Sequence, residues 1–239
     1  PDLANDMLTT FLPEENPAYE FCESAFFMAY RDDKPVGRIA GIINKLVNER
    51  AGKAEGRFGF VDFIDDEEVV DALYGAVVDW AKGKGMTQLT GPLGFTDMDA
   101  EGMLVEGFDQ LSTMSTIYNY PYYPEHMERL GMQKSADWVE MKIYIPDTIP
   151  ERHLRIASIV QQKHGLRIRH LKSKWEIMKK GVAHQMFRLI NQAYAPLFNY
   201  SEMTERQIDQ YVRMYLPVLD LDMVSVVENS EGEMVAVGI

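Results

Sequence analysis

Two apolar runs near the start of the chain, SAFFMAY and VGRIAGIIN, are separated by RDDKP, whose Asp32, Asp33 and Pro35 supply turn chemistry. They predict a hairpin. A loop through NERAGKAEG then leads to RFGFVDFID, whose aromatic and valine content predicts a third strand beside it. From Glu67 the period becomes helical: Val69, Val70, Leu73, Val77 and Trp80 recur at three- and four-residue steps. Asp65 or Asp66 is the expected cap, with Glu68 three residues after Asp65 completing a capping box, and Gly83 or Gly85 ends the helix. MTQLTGPL predicts a short strand, and GFTDMDAEGMLVEGFDQL, rich in Gly and Asp, a long ordered loop over one end of the sheet.

Pro124 is placed to open a short helix, PEHMERL, that Gly131 stops. SADWVEMKIYI then alternates, Val139, Met141, Ile143 and Ile145 against Trp138, Glu140, Lys142 and Tyr144, which predicts a strand closing the first unit. PDTIP is the expected linker, giving units 1–146 and 147–239. The second begins with a helix through ERHLRIASIVQQKHG and a strand in LRIRHLK. Two amphipathic helices follow, VAHQMFRLINQAYA and TERQIDQYVRMYLPVL, the latter with Thr204 and Gln207 as a capping box. MVSVVENSEGEMVAVGI predicts strand, turn and strand, and its EGEMVAVGI echoes the earlier DDKPVGRIA as a weak internal repeat. The expected fold class is α/β (α+β), a mixed twisted sheet with flanking helices and a second, partial unit of the same type.

Composition changes this picture little, but charge narrows the partners. Lys and Arg number 24 against 37 Asp and Glu, a net charge of -13, which argues against nonspecific binding to nucleic acid or to an anionic membrane. No apolar run has the length of a spanning helix, and no secretion signal opens the chain. The single cysteine, Cys22, forms no intrachain disulfide, and the histidines lack metal-finger spacing. A cytoplasmic location and no metal are the expectations. Because the chain opens on Pro1 and ends on the apolar MVAVGI, we expect residues beyond both ends. An apolar hairpin edge there would pair with another chain, so a homodimer, or a poorly ordered segment from about Asp220, is expected.

The order hairpin, third strand, capped helix, strand, short helix and final strand resembles the GCN5-related N-acetyltransferase superfamily. KPVGRIAGII, RFGFVDFIDD and YYPEHMERLGM carry that resemblance, and GRFGFVDF, GPLGFTDMDAEG and MYLPVL resemble two-domain bacterial acyltransferase-like proteins. The resemblance implies an acyl-CoA donor, acetyl-CoA or another, and a small-molecule amine acceptor. It also implies a Q/R-x-x-G-x-G/A loop holding pyrophosphate at the start of the central helix, where a helix N-terminus favours anions. Here that place reads I-D-D-E-E-V-V-D-A, with Asp65, Asp66, Glu67 and Glu68 where phosphate would sit. The cofactor site is therefore expected in the second unit. The tyrosine that active relatives place four residues before the helix-ending glycine is Met127 here, which has no proton to donate.

The remaining catalytic candidates are Asp62, Tyr123 and His126. Asp62, which strict alternation puts on a face with Phe58 and Phe60, becomes a general base if desolvation raises its pKa. Tyr123 and His126 stand near Met127 as substitute acids, against a plainer reading of the tyrosines as packing with hydroxyls at the rim. Asp97, Asp99 and Glu101 have a D-x-D-x-E look that invites a metal but lack the EF-hand's ligand series, and read as surface acids. A stripe of Lys and Arg from Arg152 to Lys180 reads as a solvated face, as a seat for an anionic ligand such as a CoA phosphate, or as a partner of the acidic first unit. Two functions stay open: an acyl-CoA-dependent N-acyltransferase-like protein, and a noncatalytic binding or assembly module on the same fold.

Overall fold

The structure, a computed structural model, describes residues 4–113, 116–179 and 181–238. The chain divides into two compact units: 1–138 with 198–201, and 139–197 with 202–239. The first holds helix α1 (Ala4–Phe11), a 3-10 turn at Pro17–Glu20 and a sheet of β1 (Cys22–Arg31), β2 (Lys34–Asn44), β3 (Glu55–Phe63) and β4 (Gln88–Thr90). Strand order follows the sequence; the first three are antiparallel, and β4 runs parallel to β3. Helix α3 (Glu67–Gly83) supplies the crossover that a parallel pair requires. The β1–β2 turn is the expected one, with Asp32 and Asp33 both at positive φ, 50° and 61°. Two successive left-handed residues match the twist of a two-residue hairpin.

Between β2 and β3 the register slips, Arg38 facing Asp62 but Ala40 facing Gly59, and Phe60 takes φ 47°. That bulge corrects the expectation from alternation. Phe58 packs under α3 with Ile39, Leu73 and Val77, whereas Phe60 joins Phe95, Ala40 and Ile42 in a separate cluster. Asp62 therefore does not share one face with both rings.

Asp66 is the cap of α3: its side chain accepts from Val69 N at 3.2 Å. The expected Asp65–Glu68 box does not form, because Arg31 draws Glu68 to 3.0 Å and also pairs with Asp66. A helix absent from the sequence reading, α2 (Lys45–Ala51), follows β2 directly and is capped by Asn44, which accepts from Val47 N at 3.0 Å. Helix α4 (Tyr122–Arg129) starts two residues before Pro124, after Pro121, and ends ahead of Gly131 at φ 78°. Residues 91–121 contain no helix or strand among those described. SADWVEMKIYI, expected as a strand, joins no sheet among the described residues.

The second unit holds α5 (Glu151–His164), β5 (Arg167–His170), α6 (Lys174–Lys179), α7 (Val182–Tyr194), α8 (Glu205–Tyr215), β6 (Ser225–Glu228) and β7 (Met234–Gly238). β6 lies between β5 and β7, both antiparallel to it, so the segment after Asp220 is built into a ladder. The Thr204–Gln207 capping box forms as expected. Ile177, Met186, Ile208, Val212, Val224 and Val226 make this unit's core. The observed class is a mixed α+β arrangement with helices flanking the sheets. No helix among the described residues is long and apolar enough to cross a membrane.

Two glycines separate close approach from mere tolerance. A Cβ on Gly59 would lie 2.1 Å from the Leu93 carbonyl oxygen, whereas one on Gly75, inside α3, meets nothing within 4 Å. Gly59→Ala is expected to destabilise by about 1–3 kcal/mol through overpacking. Gly75→Ala should stabilise by about 0.5–1 kcal/mol through helix propensity. Chemical denaturation of both variants checks the pair.

Candidate functional site

The end of β3 and the first turn of α4 bring the sequence candidates together around Phe63. The Tyr123 ring stacks on Phe63 at 4.2 Å, and its hydroxyl accepts from Phe63 N and donates to Asp62 Oδ1, both at 3.3 Å. Tyr122 donates to Phe63 O at 2.9 Å, and Arg38 Nε to Asp62 Oδ2 at 2.7 Å. Burial, reinforced by the Asp62 carboxylate, pushes the Tyr123 hydroxyl up to about 12, so it stays protonated at neutral pH. His126 is buried with its ring edge-on to Phe63, and Nε2 meets Asp65 Oδ1 at 2.9 Å. Its Nδ1 is the buried side-chain atom left without a hydrogen-bond partner among the described residues. Met127 fills the core beside them.

A second cluster, which sequence reasoning did not assemble, lies on β3 and the loop after β4. Arg57 is 1% exposed in the middle of an aromatic strand. Its guanidinium donates to the carbonyls of Gly94 at 3.2 Å, Phe95 at 3.5 Å and Asn199 at 3.0 Å. Asn44 donates to Phe95 O at 3.0 Å and to Ser201 Oγ at 2.9 Å. Glu55, also buried, accepts from Gln88, Thr90 and Asn199 at 2.9–3.0 Å. The loop folds back so tightly that a Cβ on Gly94 would lie 2.2 Å from that of Asp99.

Asp97, Asp99 and Glu101 are thereby half-buried rather than spread over the surface. Asp99 accepts from Thr96 N at 3.1 Å, yet burial pushes its carboxyl up to about 6. Asp97 accepts from Ser201 N at 2.6 Å and is raised by burial as well. Glu101 is pushed up to about 7, first by burial and then by the Asp97 carboxylate, while Arg57 pulls it down. A carboxyl balanced near neutrality can take and give a proton at working pH, which is what general acid–base chemistry needs. Cys22, its thiol 3.8 Å from Phe95 O, is pushed up to about 12 by burial and is inert as a nucleophile. No group of three or more metal-ligating side chains is arranged around a common point among the described residues.

The start of α3 does not fit a phosphate. Its first turn is satisfied by Asp66, and Arg31, the adjacent cation, is committed to Asp66 and Glu68. Hydrogen bonding from Arg31 holds the Asp66 carboxyl below its usual range, so it stays charged where an anion would have to approach.

The chain is similar to a bacterial ceramide synthase. That relative, from Caulobacter vibrioides (strain NA1000 / CB15N), is 26% identical over 214 residues, 89% of this chain and 54% of the relative. Protein YghO of Escherichia coli (strain K12) is 36% identical over 126 residues, 53% of this chain and 32% of that protein. The chain thus spans about half the length of the first and about a third of the second. No family model matches it, and no solved structure does.

The raised carboxyls make a stability test with an unusual sign. A carboxyl whose folded pKa is raised holds its proton more tightly in the folded chain, so folded stability falls as pH rises from about 4 through the folded values. Asp99→Asn and Glu101→Gln are each expected to stabilise, on the order of 1–3 kcal/mol above pH 7. That gain should vanish below about pH 4, where the carboxyls are protonated in both states. Denaturant unfolding across pH checks it.

Proposed function

We propose that this chain contributes to an N-acyltransferase that joins an acyl group to the amine of a small, long-chain molecule. The observation that carries the reading is the similarity to a bacterial ceramide synthase along 89% of the chain. A ceramide is an N-acylated long-chain amino alcohol, so its synthesis is amide formation. The element order of the first unit, three antiparallel strands, a crossover helix and a parallel strand, supports an acyltransferase-like fold of the GCN5-related kind.

An amine is mostly protonated at neutral pH and attacks only as the free base. Glu101 is the proton acceptor in this reading: its carboxyl, pushed up to about 7, is ionised in part at neutral pH. It takes the proton the amine nitrogen loses as its C–N bond forms and the thioester C–S bond breaks, the thiolate leaving and taking a proton from solvent. Burial above all, then Asp97 and Asp99, holds the Glu101 carboxyl up, and Arg57 keeps it from rising further. Asp62, Tyr123 and His126 form the supporting cluster at the end of β3, with Tyr123 as a hydroxyl donor that never ionises in the working range. An acyl-CoA is the donor this reading assigns, and the closed start of α3 argues that its pyrophosphate is held elsewhere than on that helix. That closure also favours a second reading, in which the first unit binds an amine without catalysing its acylation.

Mass spectrometry of the amide formed from a long-chain amine and an acyl-CoA tests both. Amide formation should rise with pH through about 7 and fall by on the order of 100-fold in Glu101→Gln, the loss expected of a general base. Tyr123→Phe should keep most of the rate and cost about 1 kcal/mol of stability or less. An unchanged rate in Glu101→Gln removes that residue from the mechanism. Amine binding without any amide product supports the second reading.

A further inference from the structure

The second unit leaves apolar and cationic side chains uncovered from Val139 through helix α5. From Val139 the chain joins no ladder among the described residues, and Val139, Met141, Ile143 and Ile145 are between 73% and 91% exposed. Helix α5 buries none of its residues. Along it Arg152, Ile156, Ile159 and Lys163 succeed one another at steps of four, three and four, so two apolar side chains lie between two cations on one line of the helix. Ile168 on β5 and Trp175 on α6 are exposed as well.

The charge of this stretch runs against that of the chain. From Arg152 to Lys174 there are seven Lys and Arg and no Asp or Glu. In the fold Arg167 and Arg169 pair with Glu228, Arg169 also with Glu176, and Lys174 donates to Pro217 O, so the charge a ligand would meet comes from Arg152, Arg155, Lys163 and Lys172. Lys180, the last cation of the run, lies outside the described residues. The second unit holds thirteen of the 24 cations and twelve of the 37 acids, so its own balance is about neutral and the acidity belongs to the first unit. Charges are screened over about 8 Å at physiological salt, so a ligand at this stretch meets its local cations rather than the average of -13. The expectation that net charge excludes an anionic membrane was an average over unlike parts.

Uncovered apolar rows of this extent mark interaction surfaces. A face that pairs with a second copy of itself would set these cations against one another, which counts against that cover. An anionic bilayer offers the complement to both features. Apolar side chains enter the acyl boundary, the long stems of Arg152 and Lys163 reach back to headgroup phosphates, and Tyr144 and Trp175 suit the interface. We propose that residues 139–164, with the exposed Ile168 and Trp175, dock the protein on an anionic bilayer surface, lying in the interface without crossing it. Such docking stands independently of the acyl-transfer reading, and would bring the protein to where a long-chain amine resides.

Vesicle flotation tests it, with phosphatidylcholine alone or mixed with phosphatidylglycerol. The protein is expected to float with the mixed vesicles only, and to be released by high salt. The triple variant Arg152→Gln, Arg155→Gln, Lys163→Gln should lower partitioning by roughly 100-fold, about fivefold per cation removed. Ile143→Asp with Ile145→Asp should lower it too, and circular dichroism verifies that both variants keep their fold. Equal flotation with both vesicle types, flotation with neither, or an unaffected triple variant overturns the proposal. So does a dimer that protects the α5 amides from exchange without vesicle binding, which assigns the face to a second copy. Binding of CoA or inorganic phosphate by these cations without flotation overturns it in favour of a soluble anion.

Discussion

A guanidinium enclosed in an aromatic strand sets the path of the chain around it. Taking Arg57 out of water costs several kcal/mol unless every donor finds an acceptor. The carbonyls of Gly94, Phe95 and Asn199 accept from its two terminal nitrogens, so the loop after β4 crosses the face of β3 instead of running out over solvent. Gly94 permits the reversal because it carries no Cβ. That reversal carries Asp97, Asp99 and Glu101 partly out of water with the loop, and desolvation raises their carboxyls. The same packing that stabilises the guanidinium strains the carboxyls, and strained carboxyls near neutrality are characteristic of sites that move protons.

The elements that punctuation defines were legible in the sequence. Asp32 and Asp33 fixed the hairpin turn, and the three-and-four spacing from Val69 to Trp80 fixed the central helix, because turn chemistry and amphipathic period are local properties. Where tertiary choice decides, the sequence was silent or misleading. Asn44 ends β2 and caps α2 at once, so seven helical residues stayed hidden in what reads as a loop. The alternation of Val139, Met141, Ile143 and Ile145 records sidedness, not pairing. A strand needs a neighbour, and none is joined to it among the described residues.

The site divides in the same way. Asp62, Tyr123 and His126 were visible as chemistry-bearing residues at element ends, and the structure gathers them on Phe63. Their plainer role as a sealed aromatic seam, with Met127 in the core, accounts for most of what they touch. The Arg57 cluster was not visible. One arginine in RFGFVDF carries no local mark of burial, and acids in a Gly-rich loop read as surface charge. Only the loop returning across β3 makes them neighbours. The one sequence signal was the D-x-D-x-E spacing, which reads as surface acids once a metal is set aside, with no mark of the desolvation to come.

The account rests on the ionisation of one carboxyl held by this arrangement. Carbon-13 NMR of the Glu101 side-chain carboxyl, followed across pH with Glu101→Gln to assign the resonance, reads it directly. A midpoint near 7 is the result predicted by its burial beside Asp97. A midpoint near 4.3, that of a solvated glutamate, would mean that the loop leaves Glu101 in water, and the proposed proton acceptor would be lost.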